Sequence, residues 1–316
     1  MSDKSMMFEL WTECNSRCKF CYLGANNRST PDKVKLHNMK KVSHIISDTF
    51  TEDLEQYKAA GFIGGEFFQG QLNNPEVKTT FFNLCKQVFD LIEKDKIRDF
   101  WCYCTLTIGD QHDLYELLDL FDKTITDKSK HDFWVLVSYD TWGRFHTPEM
   151  KANWEKHMLN IQKNYSFVKF NVTSILSQDF CEKVLSGEHN LLEFQKKFNI
   201  SSFFFKQPTK TFDYDTKEEF AKVYPNWFLK RKTFIKFLEK LKQDDPALFD
   251  HVLNIIQRAD DILQSGNDYK GQHRDKITWE ETDMETIPKC GHVTPYQCYI
   301  DSDACCLCDY FKVKGE

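Results

Sequence analysis

Short apolar runs alternate with amphipathic stretches through the first two thirds of the chain, and this alternation limits the fold more than any other feature. Met7–Thr12 reads as a strand. Leu36–Lys58 carries helical spacing, with Met39, Val42, Ile45, Ile46, Phe50 and Leu54 on one stripe. Phe62–Phe68 is a second apolar stretch, and Val77–Ile92 an amphipathic helix. Phe100–Ile108 reads as strand, Leu114–Phe121 as helix. Phe133–Asp140 is a near-continuous apolar run, as in a strand covered on both faces. A helix over Pro148–Gln162, with proline near its start, leads to a strand over Val168–Leu176. Two short helices, Phe180–Leu185 and Leu191–Phe198, precede a last strand at Ser201–Gln207, stopped by Pro208. The order is β(αβ)5. Such a chain builds parallel strands joined by crossover helices, in an open doubly wound sheet or in a barrel, complete or partial. Either way, chemistry gathers at the C-terminal ends of the strands.

The pattern changes after Thr211. Phe228–Leu241 and Pro246–Leu263 read as helices, Ser265–Pro288 as a polar connection, and Lys289–Tyr310 is rich in cysteine. Three units follow: 1–211, 212–280 and 281–316. With 42 basic and 48 acidic residues the net charge is −6, so a global basic field for nucleic acid is absent. No apolar run approaches the roughly 18 residues of a spanning helix, and no export signal is read at Met1–Leu10. The expectation is a soluble, cytoplasmic protein with no membrane partner. Only 12 of 316 residues are glycine, against a usual share of about 7 %, so glycine should stand where the backbone needs it. The 28 phenylalanines should carry much of the core.

Twelve cysteines are present, and eight lie in two clusters near the ends of the chain. In a reducing compartment such clusters bind metal or do redox work. The first, Cys14-Asn-Ser-Arg-Cys18-Lys-Phe-Cys21, directly follows the first strand. Three thiolates from one loop can cap three irons of a [4Fe–4S] cube and leave the fourth iron open. The alternatives are structural zinc, which wants four ligands where this loop has three, and unrelated cysteines. The nearest histidine in sequence is His37.

With Phe20 before the third cysteine, and with this strand order over residues 6 to about 211, the chain resembles the radical SAM superfamily. The resemblance implies a partial (β/α)6 TIM-type barrel. It also implies that Cys14, Cys18 and Cys21 hold a [4Fe–4S] cluster that cleaves S-adenosylmethionine to a 5′-deoxyadenosyl radical, which takes a hydrogen from substrate. Gly64-Gly65-Glu66 stands where the family holds the methionine end of that cofactor, with Phe67 in place of the usual proline. Read alone, two glycines free space for a ligand and the glutamate can accept from an ammonium, or the three residues are simply a turn. Ser138 and Asp140 share a strand face and are expected at ribose hydroxyls, unless they are a polar strand end meeting water. Asn171 and Thr173 share a face and could contact the cofactor's methionine or ribose part. Phe20 and Tyr22 are placed by the resemblance beside the adenine.

Cys102 and Cys104 share one strand face, either as donors pointing into the barrel or as small buried hydrophobes. Cys85 and Cys181 lie on apolar helical stripes and read as core. His146 reads as a substrate contact or a surface loop residue, and Lys206 as a substrate contact or a snorkelling edge residue. In the second cluster, Asp301-Ser302-Asp303 is a turn between two short strands that brings Cys298 near Cys305 and Cys306. With Cys290 and Cys308 this resembles an abbreviated SPASM or twitch extension, which implies a second Fe–S cluster. Zinc on Cys290, His292, Cys298 and one of the last three cysteines is the alternative. By the same analogy the substrate is expected to be a peptide or protein, with a nucleoside or small molecule second, and a low-potential electron donor is required. A zinc-binding interaction protein without turnover is the reading from another class.

Overall fold

The computed structural model describes residues 5–19, 21, 30–50, 57–140, 143–206, 219, 222–226 and 231–250. In chain order they form β1 (Ser5–Trp11), α1 (Asp32–Thr49), β2 (Tyr57–Gly64), α2 (Pro75–Glu93), β3 (Ile97–Tyr103), α3 (His112–Thr124) and β4 (Phe133–Ser138). There follow α4 (Pro148–Asn164), β5 (Val168–Ile175), α5 (Gln178–Ser186), α6 (Leu191–Lys197), β6 (Ile200–Lys206) and α7 (Arg231–Asp244).

The strands make one sheet in the order β1-β2-β3-β4-β5-β6, and every pairing is parallel. That order decides between the architectures left open by periodicity. A doubly wound sheet reverses its strand order at a switch point and so carries helices on both faces. Here the order never reverses. Right-handed crossovers then place every connecting helix on the same face. The fold is α/β, singly wound, and compatible with a partial barrel whose edges are β1 and β6.

The helix-side face is largely apolar. Phe8, Phe62, Phe100, Phe133 and Phe170 follow one another across the sheet, each at most 2 % exposed. Phe89 of α2 meets Phe100 and Phe121 edge-on, with ring centroids 5.0 and 5.1 Å apart. Phe81 stacks on Phe67 at 5.5 Å. Such pairs add about 0.5–1.5 kcal/mol each beyond the area they bury. The opposite face differs. Along β5 burial alternates strictly, with Val168, Phe170, Val172 and Ser174 buried and Lys169, Asn171, Thr173 and Ile175 half-buried. Trp101, Tyr103, Trp134 and Ser138 are half-buried on that second face too. An all-parallel sheet ordinarily covers both faces. The second face is the one a ligand can reach.

Helix starts follow their caps. Asn74 accepts from the Glu76 and Val77 N–H groups with Pro75 in the first turn, and Thr147 accepts from Met150 ahead of Pro148. Gly187 closes α5 in the left-handed region, at φ 83°. The second strand departs from expectation. It runs over Tyr57–Gly64 rather than Phe62–Phe68, and α1 stops at Thr49 rather than near Lys58. Pairing of Ala59 to Phe62 with both neighbours sets this strand, a long-range constraint invisible to local periodicity. Phe67 and Phe68 are buried in the loop that follows. Among the described residues no helix is long and apolar enough to cross a membrane.

Candidate functional site

The first cysteine cluster leaves the C-terminal end of β1 and lies against the loop that follows β2. The Gly65 N–H donates to the Trp11 carbonyl at 3.0 Å, and the Glu66 N–H to the Glu13 carbonyl at 2.8 Å. The Trp11 indole N–H returns a bond to the Glu66 carbonyl at 2.7 Å. This close approach needs two glycines. A Cβ on Gly64 would overlap the Trp11 carbonyl oxygen, and one on Gly65 the Thr12 and Glu13 carbonyl oxygens. The space expected to admit a ligand is therefore filled by the chain's own backbone. Glu66 is likewise engaged within the protein. Its Oε1 accepts from the Phe67 and Phe68 N–H groups at 2.9 and 3.1 Å, and its Oε2 from Thr105 N–H at 2.7 Å. The carboxylate, 1 % exposed, ties the end of β2 to the end of β3.

Side chains from neighbouring elements fix the loop further. Gln69 Nε2 lies 2.9 Å from Ser16 Oγ, 2.7 Å from Thr105 Oγ1 and 3.0 Å from Thr107 Oγ1. Lys35 of α1 pairs with Glu13 at 2.6 Å and donates to the Gln71 carbonyl at 3.2 Å. After β4, the Gly143 carbonyl accepts from Lys19 N–H at 3.0 Å, and His146 Nε2 lies 3.0 and 3.1 Å from the Ser16 and Arg17 carbonyls. His146 is exposed in the loop after β4, as its surface-loop expectation had it, and from there it clamps the cysteine loop. Sequence reading also missed Gln69, Thr105, Thr107 and Arg144. Their shared signal is position, since all four lie within a few residues of the C-terminal end of a strand.

Cys14 and Cys18 are buried, Cys21 is half-buried, and all three are free thiols. Burial, then the Glu66 charge, pushes the Cys14 thiol up, and burial pushes Cys18 up to about 11 against the opposing charge of Arg144. Among the described residues, one set of three His, Cys, Asp or Glu ligand atoms lies within 4.8 Å of one another: His112, Asp113 and Glu116. There Lys78 pairs with both carboxylates at 2.7 Å. The thiols of Cys14, Cys18 and Cys21 are not so gathered. Tetrahedral zinc would hold its thiolates about 3.8 Å apart. In a cube each thiolate caps its own iron, so three separated thiols on one short loop fit that donor arrangement.

Ser138, Asn171 and Thr173 come together on the half-buried face, where Ser138 pairs in register with Thr173 and Asn171 with Ser202. Asp140 does not join them as an open acceptor. It is 5 % exposed, takes the Ile175 N–H on Oδ1 at 2.8 Å and faces Arg144 Nε at 3.9 Å. Cys102 and Cys104 lie on the helix side, 0 % and 4 % exposed, as small hydrophobes. Cys85 and Cys181 are core. Phe20, Tyr22, the Lys206 side chain, and Cys290, His292, Cys298, Cys305, Cys306 and Cys308 lie outside the described residues. No protein-family model matches this chain, and no curated protein matches it significantly.

Proposed function

We propose that the chain is a radical SAM enzyme built on a partial (β/α)6 barrel over residues 1–211, with a helical segment at 212–280 and a cysteine-rich extension at 281–316. The observation that carries this reading is the placement of Cys14, Cys18 and Cys21. They share one loop at the C-terminal end of the first strand of a singly wound parallel sheet, and the loops after β2 and β4 pin that loop.

A [4Fe–4S] cluster with S-adenosylmethionine supplies, when bound, one-electron cleavage of a carbon–sulfur bond and a carbon-centred radical for hydrogen abstraction. The chain's part is positional. Cys14, Cys18 and Cys21 hold the irons. Glu66 and Gln69 keep the loop ends of β1, β2 and β3 in one arrangement. Ser138, Asn171 and Thr173 offer hydrogen bonds on the inner face to the cofactor's ribose and amino-acid groups. Trp101, Tyr103 and Trp134 line the same face and limit water around a reactive species. A peptide or protein is the substrate favoured by the cysteine-rich extension, which would hold a second Fe–S cluster or zinc. A low-potential electron donor and a cytoplasmic setting belong to the same reading.

Anaerobic purification with iron, sulfide and zinc analysis tests it. The reading expects iron and sulfide, absorbance at roughly 400 nm, and 5′-deoxyadenosine after reduction with S-adenosylmethionine. Cys18→Ala abolishes that product, and Cys298→Ala spares cofactor cleavage while impairing substrate turnover. Tightly held zinc with no cleavage, the behaviour of an interaction protein, refutes the proposal.

A further inference from the structure

The outer side of α1 carries a line of basic side chains that no carboxylate answers. Lys33, His37, Lys40 and His44 stand at i, i+4, i+7 and i+11, all exposed, with Lys41 half-buried beside them. At 1.5 Å per residue the line is about 17 Å long. The acidic residues of α1 stand at its two ends: Asp32, 3.4 Å from Lys35 and 2.8 Å from Asn74 Nδ2, and Asp48. Among the described residues, Lys33, Lys40 and Lys41 make no ion pair. Other helices are built differently. Lys86 meets Asp90 at 2.7 Å on α2, Lys151 meets Glu155 at 3.9 Å on α4, and Lys240 meets Asp244 at 2.9 Å on α7, each one turn away. The start of α1 is also fixed beside the first cysteine cluster. Lys35 pairs at 2.6 Å with Glu13, the residue before Cys14, and Asn38 Nδ2 donates at 2.9 Å to the Leu10 carbonyl near the end of β1.

Resting on the reading of that loop as a cluster site, we propose that this face of α1 is the docking surface for an acidic one-electron donor protein. The chain carries a net charge of −6, so most of its surface repels such a partner. A local cationic line then steers the partner to one place, raises the association rate and disfavours other orientations. Docked there, the donor lies at the sheet edge whose first strand leads into the cysteine loop. One electron leaves the donor, as when a flavin hydroquinone becomes a semiquinone, and enters the cluster, which gains one negative charge. A single-stranded nucleic acid is the other polyanion of this charge. It suits the face less, because the line offers no Phe, Tyr or Trp on which bases stack.

The test is a binding titration of the full-length chain, iron-loaded and iron-free, with a purified, strongly acidic flavodoxin as probe. The triple variant Lys33→Glu, Lys40→Glu and Lys41→Glu is expected to weaken binding at least about tenfold at about 50 mM salt, and by less at about 500 mM, where screening shortens the reach of charge. The same charge change on α3 and α4, as Lys123→Glu, Lys156→Glu and Lys163→Glu, keeps binding within about twofold of wild type, because docking is local. In the iron-loaded chain the first triple slows reduction by the reduced probe and leaves reduction by dithionite unchanged. Equal binding in the two triples, wild type that does not bind the probe, or undiminished reduction by the probe overturns the proposal and leaves the cluster reading intact. So does an oligouridine that binds wild type more tightly than the probe and is released by the first triple. Wild-type chain that takes up neither iron nor sulfide overturns the reading and the proposal together.

Discussion

Replacing Glu66 with glutamine separates a structural role from a ligand-binding one. The carboxylate takes three backbone N–H groups, at 2.9 and 3.1 Å on one oxygen and 2.7 Å on the other, and is 1 % exposed. Glutamine has nearly the same shape but only one acceptor atom. If that oxygen keeps Phe67 and Phe68, the amide nitrogen faces the Thr105 N–H, donor against donor. The charge-assisted bond to Thr105, about 1.5–3 kcal/mol, is lost, and a buried N–H is left without an acceptor. The expected destabilisation is about 2–4 kcal/mol. At about 2–4 °C per kcal/mol for a chain of this class, Glu66→Gln should melt roughly 4–16 °C below wild type. The assay is thermal unfolding of both proteins without cofactor, followed by circular dichroism. A glutamate that serves only a bound ammonium would leave the cofactor-free melting temperature unchanged. A melt within about 2 °C of wild type would therefore refute the staple between β2 and β3.

Further expectations concern backbone fit and protonation. Gly65→Ala should lower stability by about 2–3 kcal/mol, because the Cβ meets the Glu13 carbonyl carbon at 2.6 Å as well as two carbonyl oxygens. Gly187→Ala, with nothing within 4 Å of its Cβ, costs only the left-handed strain of about 1 kcal/mol, and equal losses in urea unfolding would contradict the close approach at Gly65. Burial holds the His157 imidazole below its ordinary value, with Nδ1 2.9 Å from the Tyr115 hydroxyl and Nε2 3.0 Å from the Ile108 carbonyl. The unfolded chain then takes the proton first, so stability is full above about pH 6.5 and falls as the pH drops. His157→Gln should flatten the urea midpoint between about pH 7 and 5, and an unchanged slope would count against it. Burial pushes the Glu9 carboxyl well up, so the native state keeps a proton that the unfolded state releases. That contribution is complete below the unfolded value near pH 4.3 and declines as the pH rises. Glu9→Gln should gain stability over wild type between about pH 4 and 8, and a gap that shrinks over this range would refute it.

Some elements were legible because their causes are local. Pro75 and Pro148 mark the starts of α2 and α4, where Asn74 and Thr147 supply the caps. The cysteine loop was legible because three ligating side chains within eight residues need no tertiary information to be recognised. The extent of β2 was not, because Tyr57–Ala60 carries little strand signal and becomes a strand by pairing with β1 and β3. The pair Gly64 and Gly65 stands out in the sequence, but what fills the space beside it does not. A missing side chain looks the same in sequence whether ligand or backbone occupies its space. The same holds for Glu66 and Asp140, whose acceptor oxygens meet N–H groups 39 and 35 residues away.

Sequence alone determined the alternation of strand and helix, the apolar content of one sheet face, and three thiols at the first strand's end. These depend on side-chain type and spacing along the chain, which a linear reading preserves. Only the tertiary structure decided the unreversed strand order, the half-buried inner face shared by Ser138, Asn171 and Thr173, and the seating of Gly143 and His146 against the cysteine loop. Those depend on which strand ends become neighbours. That choice is made by packing the whole sheet against its helices, and no single segment encodes it.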